Sequence, residues 1–94
     1  MIKEVISSPL KTKKYRAIMS DGSKIDFGSR NSQTNLDHHD KTKRHNYRVR
    51  HLENDREQYF IKNVIPSPAL LSFYLLWNTG NLEHNIRYLN ELLK

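Results

Sequence analysis

The chain reads as one α+β domain: an amino-terminal β-hairpin, a basic helix, then a carboxy-terminal apolar helical hairpin. Three observations predict it. Apolar and polar residues alternate over 14–28 around Asp21-Gly22, the dipeptide that most often closes a tight hairpin. Residues 41–51 hold five Lys/Arg and two His behind an acidic capping residue. Residues 69–93 hold two helical apolar runs parted by Asn78-Thr79-Gly80.

At 94 residues the chain is long enough for one domain with a thin core. A hydrophobic fraction of 36% and a charged fraction of 28% lie between a globular and a disordered composition. Part of the chain is therefore expected to order only against a partner. Residues 1–13 are expected as an extended or partly disordered arm, and 14–94 as the domain proper. Within the arm, Ile2, Val5 and Ile6 suit one short strand, which Ser7-Ser8-Pro9 breaks.

The hairpin places Tyr15, Ala17, Met19, Ile25 and Phe27 on one face, with Ser20-Asp21-Gly22-Ser23 as a turn around a two-residue Asp-Gly centre. Two strands alone are marginal in water, so this face needs a cover; the apolar segment 70–77 is expected to supply it. Residues 29–39 are polar and aperiodic and read as an exposed loop. A helix is expected over 40–53, capped by Asp37 or Asp40, with a narrow apolar stripe of Tyr47, Val49 and Leu52. Residues 53–58 read as a charged connection, and Tyr59-Phe60-Ile61 as a short strand or a first helical turn. Ser67-Pro68 starts the next helix. That helix is apolar all round and so is expected to be central. In the last helix, from about Asn81, Leu82, Ile86, Leu89 and Leu93 share one face. The short turn between the two helices predicts antiparallel pairing.

The net charge is +6, from 16 Lys+Arg and 10 Asp+Glu. It is distributed as +4 over 1–36, +2 over 37–62 and zero over 63–94. The first two-thirds thus attracts an acidic partner, whether nucleic acid, a protein surface or headgroups. There is no cysteine, which excludes disulfides and thiolate metal ligands. No signal peptide is read at the amino terminus. The longest apolar stretch, 69–77, is far short of the about 20 residues a membrane-spanning helix needs, so no transmembrane segment is expected.

Catalysis finds no support: there is no Gly-rich phosphate loop and no Gly-x-Ser-x-Gly elbow, and the carboxylates are scattered. Asp37-His38-His39-Asp40 imitates a hydrolase corner but reads as a polar loop and helix cap. His38, His39, His45 and His51 lie close in sequence without the spacing of a zinc site. No catalytic residue, metal or cofactor is assigned. The informative polar segment is 41–51. Lys41, Lys43, Arg44, Arg48, Arg50 and His51 can contact a partner or nucleic acid, with Tyr47 available for stacking. Two other readings stand beside this one. The segment can be a solvated face, or Arg48, Arg50 and His51 can reach inward to Asp40, Glu53 or backbone carbonyls. The aromatic and leucine block 70–77, Trp77 included, reads as core.

Several pieces occur in a distinctive order: Lys14-Tyr15-Arg16-Ala17; Ser20-Asp21-Gly22-Ser23-Lys24-Ile25-Asp26-Phe27-Gly28; His39-Asp40-Lys41; Arg44, Tyr47 and Arg50-His51; Glu53-Asn54; and Leu75-Leu76-Trp77-Asn78. In this the chain resembles a family of small basic proteins of nucleocytoplasmic large DNA viruses, of the chlorella-virus-, mimivirus-, marseillevirus- and iridovirus-like groups. The resemblance covers residues 14–80. The chain departs from the pattern at 29–35 and at 59–69, where aromatic or Ser-rich and Trp-containing segments are usual. The resemblance implies a virus-encoded, virion-associated protein without known catalytic residues. The leading expectation is a non-enzymatic structural component, a minor capsid or cement-like protein bridging larger viral capsid proteins. It would be found in the virion, and in the host cell during assembly. The alternative is a basic DNA-binding protein for genome packaging or regulation.

Overall fold

The computed structural model describes residues 1–31 and 33–94, with His38 described by its backbone alone. An antiparallel three-stranded sheet runs β1 (Ile2–Ser7), β2 (Lys13–Met19), β3 (Lys24–Ser29), in that spatial order. The α+β class and its order of parts are those the sequence predicts, with one strand more. That strand comes from the arm expected outside the domain. Ile2 and Val5 are three residues apart, which strict alternation would put on opposite faces. A register shift between Ile2 and Glu4 re-phases the strand, and both side chains reach the core. Asn90, far along the chain, fastens the strand's start: it accepts from the Ile2 amide at 2.7 Å and donates to the Ile2 carbonyl at 3.1 Å.

The hairpin between β2 and β3 closes differently from the expected two-residue turn. The Gly22 amide donates to Met19 O, and the Met19 amide to Ser23 O. The loop is thus the three residues Ser20, Asp21 and Gly22, with Gly22 at φ +90°. This is the tight turn followed by a left-handed residue that suits a twisted hairpin. The Asp21 carboxylate accepts from the Ser23 amide and hydroxyl, and these bonds hold it below the usual carboxylate range. On the outer face Arg16 meets Asp26 through two bonds, and Ser8 adds a third. The Arg16 bonds, ahead of that from Ser8, keep the Asp26 carboxyl low. The inner face, with Ala17, Met19 and Phe27 buried, packs on the apolar segment after Ser67 as expected.

The loop expected over 29–39 includes Ser32 and the His38 side chain, which lie outside the described residues. Its second half is a short helix, α1 (Asn35–His38). Thr34 and Asp37 cap it reciprocally, and Thr34 and Asn35 are buried. Asp40 caps α2 (Lys41–Glu53) by accepting from the Thr42 and Lys43 amides. The expected charged connection is helical instead, as α3 (Asp55–Lys62), which takes in Tyr59-Phe60-Ile61. Asn54 caps it, and Asp55 and Glu57 complement its first turn.

The central segment starts as expected, with Ser67 capping and Pro68 first in α4 (Pro68–Leu71). It continues as a π-helical turn, Ser72–Leu76, almost wholly buried. Helix α5 (Leu82–Leu93) is capped by Asn81 and packs back on the π turn through Leu82, Ile86, Leu89 and Leu93.

Candidate functional site: the inner face of the basic helix and its cleft

A π-helical turn bonds each amide to a carbonyl five residues back, and its end leaves carbonyls without helical partners. These carbonyls are buried or half-buried here and need donors. Two other helices supply them. From α2, Arg48 Nη1 donates to Trp77 O at 3.1 Å and, more weakly, to Phe73 O at 3.4 Å. Its guanidinium lies 3.9 Å from the centre of the Phe73 ring. One turn earlier, Arg44 Nε donates to Asn78 O. From α5, the fully buried Asn85 donates to Leu75 O and Thr79 O and accepts from the Thr79 amide and hydroxyl. Burial, followed by the neighbouring Arg44 charge, lowers the Arg48 pKa from its ordinary value, yet so basic a group stays charged.

Helix α2 has no buried residue, so apolar packing alone does not attach it. Its attachment combines these arginine bonds with Tyr47, which stacks on Trp77 with ring centres 4.1 Å apart and planes 12° apart. Burial pushes the Tyr47 phenol up to about 12, so it stays protonated. His51 is packed against Tyr47 and against Glu57 of α3. Its Nδ1 lies 2.8 Å from Glu57 Oε2 but out of line for a hydrogen bond. Burial lowers the His51 pKa below its ordinary value, against the opposing pull of the Glu57 charge.

Between α2 and the ends of β2 and β3 lies a cleft made of two adjoining cavities, of about 240 and 230 Å³. They share Gly28, Ser29 and Tyr47. Trp77 and Leu76 line one, with Arg50 at its side; Lys13, His51 and Glu57 line the other. Gly28 has two reasons to be glycine. Its φ is +78°, and a Cβ there would lie 3.0 Å from the Leu76 Cδ1.

Of the seven residues singled out in the basic segment, Arg44, Tyr47, Arg48 and His51 face inward and hold the helix in place. Lys41, Lys43 and Arg50 are exposed. The inward reading named Arg48, Arg50 and His51. Arg48 does reach carbonyls, while His51 meets Glu57 rather than Asp40 or Glu53. Sequence reasoning missed Asn85, although a polar residue beside the Leu82-Ile86-Leu89 stripe was a visible signal. It also missed Lys13 and Gly28 as cleft residues, because nothing local places a strand end beside a helix. Among the described residues no three His, Asp or Glu side chains converge as a metal would need. No helix among them is long and apolar enough to cross a membrane.

These features define a small α+β protein in which a basic helix, docked by half-buried arginines, borders a cleft against a three-stranded sheet. The chain belongs to a family of unknown function, DUF5754, whose model matches residues 3–51. That segment runs from β1 through most of α2 and supplies most of the cleft's walls. No curated protein and no solved structure matches the chain.

Proposed function

We propose that this protein is a non-enzymatic attachment component. In line with the viral resemblance, it would be a minor capsid or cement-like protein that bridges larger capsid proteins in a virion. The observation that carries this reading is the division of α2. Arg44, Tyr47, Arg48 and His51 anchor the helix, and Lys41, Lys43 and Arg50 are left at the surface, Arg50 beside the cleft. A helix held this way presents its charges at fixed positions, which favours docking against an acidic protein segment.

The alternative, DNA binding for genome packaging or regulation, draws on the same exposed cations and the net charge of +6. The geometry favours it less. With about 3.6 residues per turn, Lys43 and Arg50 fall on one flank of α2 and Lys41 on the other, and the two arginines that would have joined them face inward. Fractionation of disrupted virions separates the readings. The expected result is recovery with the shell proteins, lost in Lys43→Glu/Arg50→Glu, a variant that keeps the wild-type melting temperature. Recovery with the DNA core, with an affinity that falls steeply with salt and in the same variant, would favour the alternative. Recovery in neither fraction would overturn both.

A further inference from the structure

A second concavity, of about 340 Å³, lies on the other flank of α2, where α1 and α2 meet the turn 78–80. Its lining is rich in cationic and donor groups: Asn35 from α1, His39 between the helices, and Lys41 and Arg44 from the first turns of α2. Three features mark it as built to receive something. Asn35 is 5% exposed as a whole residue and lines the concavity from the first turn of α1. Among the described residues the buried unpaired side-chain atom is His51 Nδ1, so the Asn35 amide still meets solvent, at the wall of the concavity, and can donate there to a bound anion. Arg44 uses Nε on the Asn78 carbonyl, which leaves the guanidinium's two amino groups for another acceptor. His39 is in the left-handed region at φ 54°, and its ring lies over Gly80 so closely that a Cβ there would overlap Nδ1 and Cε1. The position of the imidazole thus depends on residue 80 being glycine. The nearest carboxylate in sequence, Asp40, is turned onto the Thr42 and Lys43 amides.

We propose that this concavity is an oxyanion site for a phosphate group, held by Lys41, the amino groups of Arg44, His39 and the Asn35 amide. Planar guanidinium and ammonium donors converging on one small space match a tetrahedral anion with several acceptor oxygens. The site is distinct from the cleft of the proposed attachment and does not depend on that reading.

The test is titration of the full chain with inorganic phosphate and, separately, with a nucleoside monophosphate, followed by amide chemical shifts and melting temperature. Chloride at matched ionic strength is the control. Saturable shifts are expected at Asn35, at 39–44 and at 79–80, with dissociation constants of about 1 mM or below and a melting temperature that rises with ligand. Equal affinity for the two ligands assigns the free ion, and tighter binding of the nucleotide assigns a phosphomonoester. Lys41→Glu, at an exposed position, should weaken binding at least about tenfold by replacing an attractive charge with a repulsive one. Gly80→Ala, which displaces the His39 ring, should also weaken it, while Arg50→Glu in the other cleft should not. Absence of a saturable response, or a response unchanged in Lys41→Glu, would overturn the proposal.

Discussion

Replacing Arg48 with leucine tests whether α2 is a docked element or a charged arm. The substitution keeps helix propensity and an apolar stem. It removes a charge-assisted bond at 3.1 Å to Trp77 O, a weaker one at 3.4 Å to Phe73 O, and the guanidinium over the Phe73 ring. A hydrogen bond to a charged group contributes about 1.5–3 kcal/mol. The cation–π contact adds about 0.5–2 kcal/mol. The long second bond counts for little, and leucine recovers some packing, so the net cost is about 3 kcal/mol. A chain of this length has a total stability of roughly 5–14 kcal/mol. With a urea dependence of about 1 kcal/mol per molar, the unfolding midpoint should fall by about 2–3 M. Lys43→Leu, at an exposed position, should change stability by less than about 0.5 kcal/mol. Should Arg48→Leu leave the urea midpoint within about 0.5 M of wild type at unchanged slope, the inward assignment of Arg48 would be wrong. The basic helix would then have to be read as a contact surface along its whole length.

Asn85→Leu should destabilise by about 3–5 kcal/mol, since it leaves buried groups at Leu75 and Thr79 unsatisfied; thermal unfolding measures it. Gly28→Ala should cost about 1–3 kcal/mol, through its positive φ and its approach to Leu76, by the same measurement. For pH dependence, His51 has a folded-state pKa below its ordinary value of 6.5. The unfolded chain therefore binds its proton more readily, and this contribution to stability is present above about pH 6.5 and lost as the pH falls through the folded-state value. Chemical denaturation at pH 7.5 and 5.5 should show a decline that His51→Gln reduces; an identical decline in the variant would remove His51 as its source. Asp26 behaves similarly in a lower range. The stability it gains from Arg16 should persist above its ordinary value of 3.8 and disappear as the pH falls further, and Asp26→Asn should flatten that limb of the acid-denaturation curve.

Local signals located most of the elements. Alternation over 14–28 marked two strands, Ser67-Pro68 marked a helix start, and Leu82, Ile86, Leu89 and Leu93 marked a helical face that does pack inward. Where the reading failed, the missing information was local only in hindsight or not local at all. Asn54 with Asp55 and Glu57 is a helix start hidden inside what looks like a charge run. The short strand expected from Ile2, Val5 and Ile6 is β1, but its place beside β2 was not foreseen, because pairing between 2–7 and 15–19 is not a local property. The Asp-Gly signal correctly marked the hairpin but not its loop length, which depends on which amide closes the ladder.

The candidate sites divide along the same line. Composition and order alone determined that the chain is basic in its first two-thirds, apolar near its end, free of thiol chemistry and organised as α+β. They could not determine which way the basic side chains point, because a helix can turn either flank to its neighbour while keeping its sequence and caps. That choice was made by the buried and half-buried carbonyls at the end of the π turn. They require donors, and only packing three helices together brings Arg44, Arg48 and Asn85 within reach. The same packing sets Gly28 against Leu76 and His39 over Gly80, contacts between residues almost fifty and about forty positions apart that no local pattern encodes.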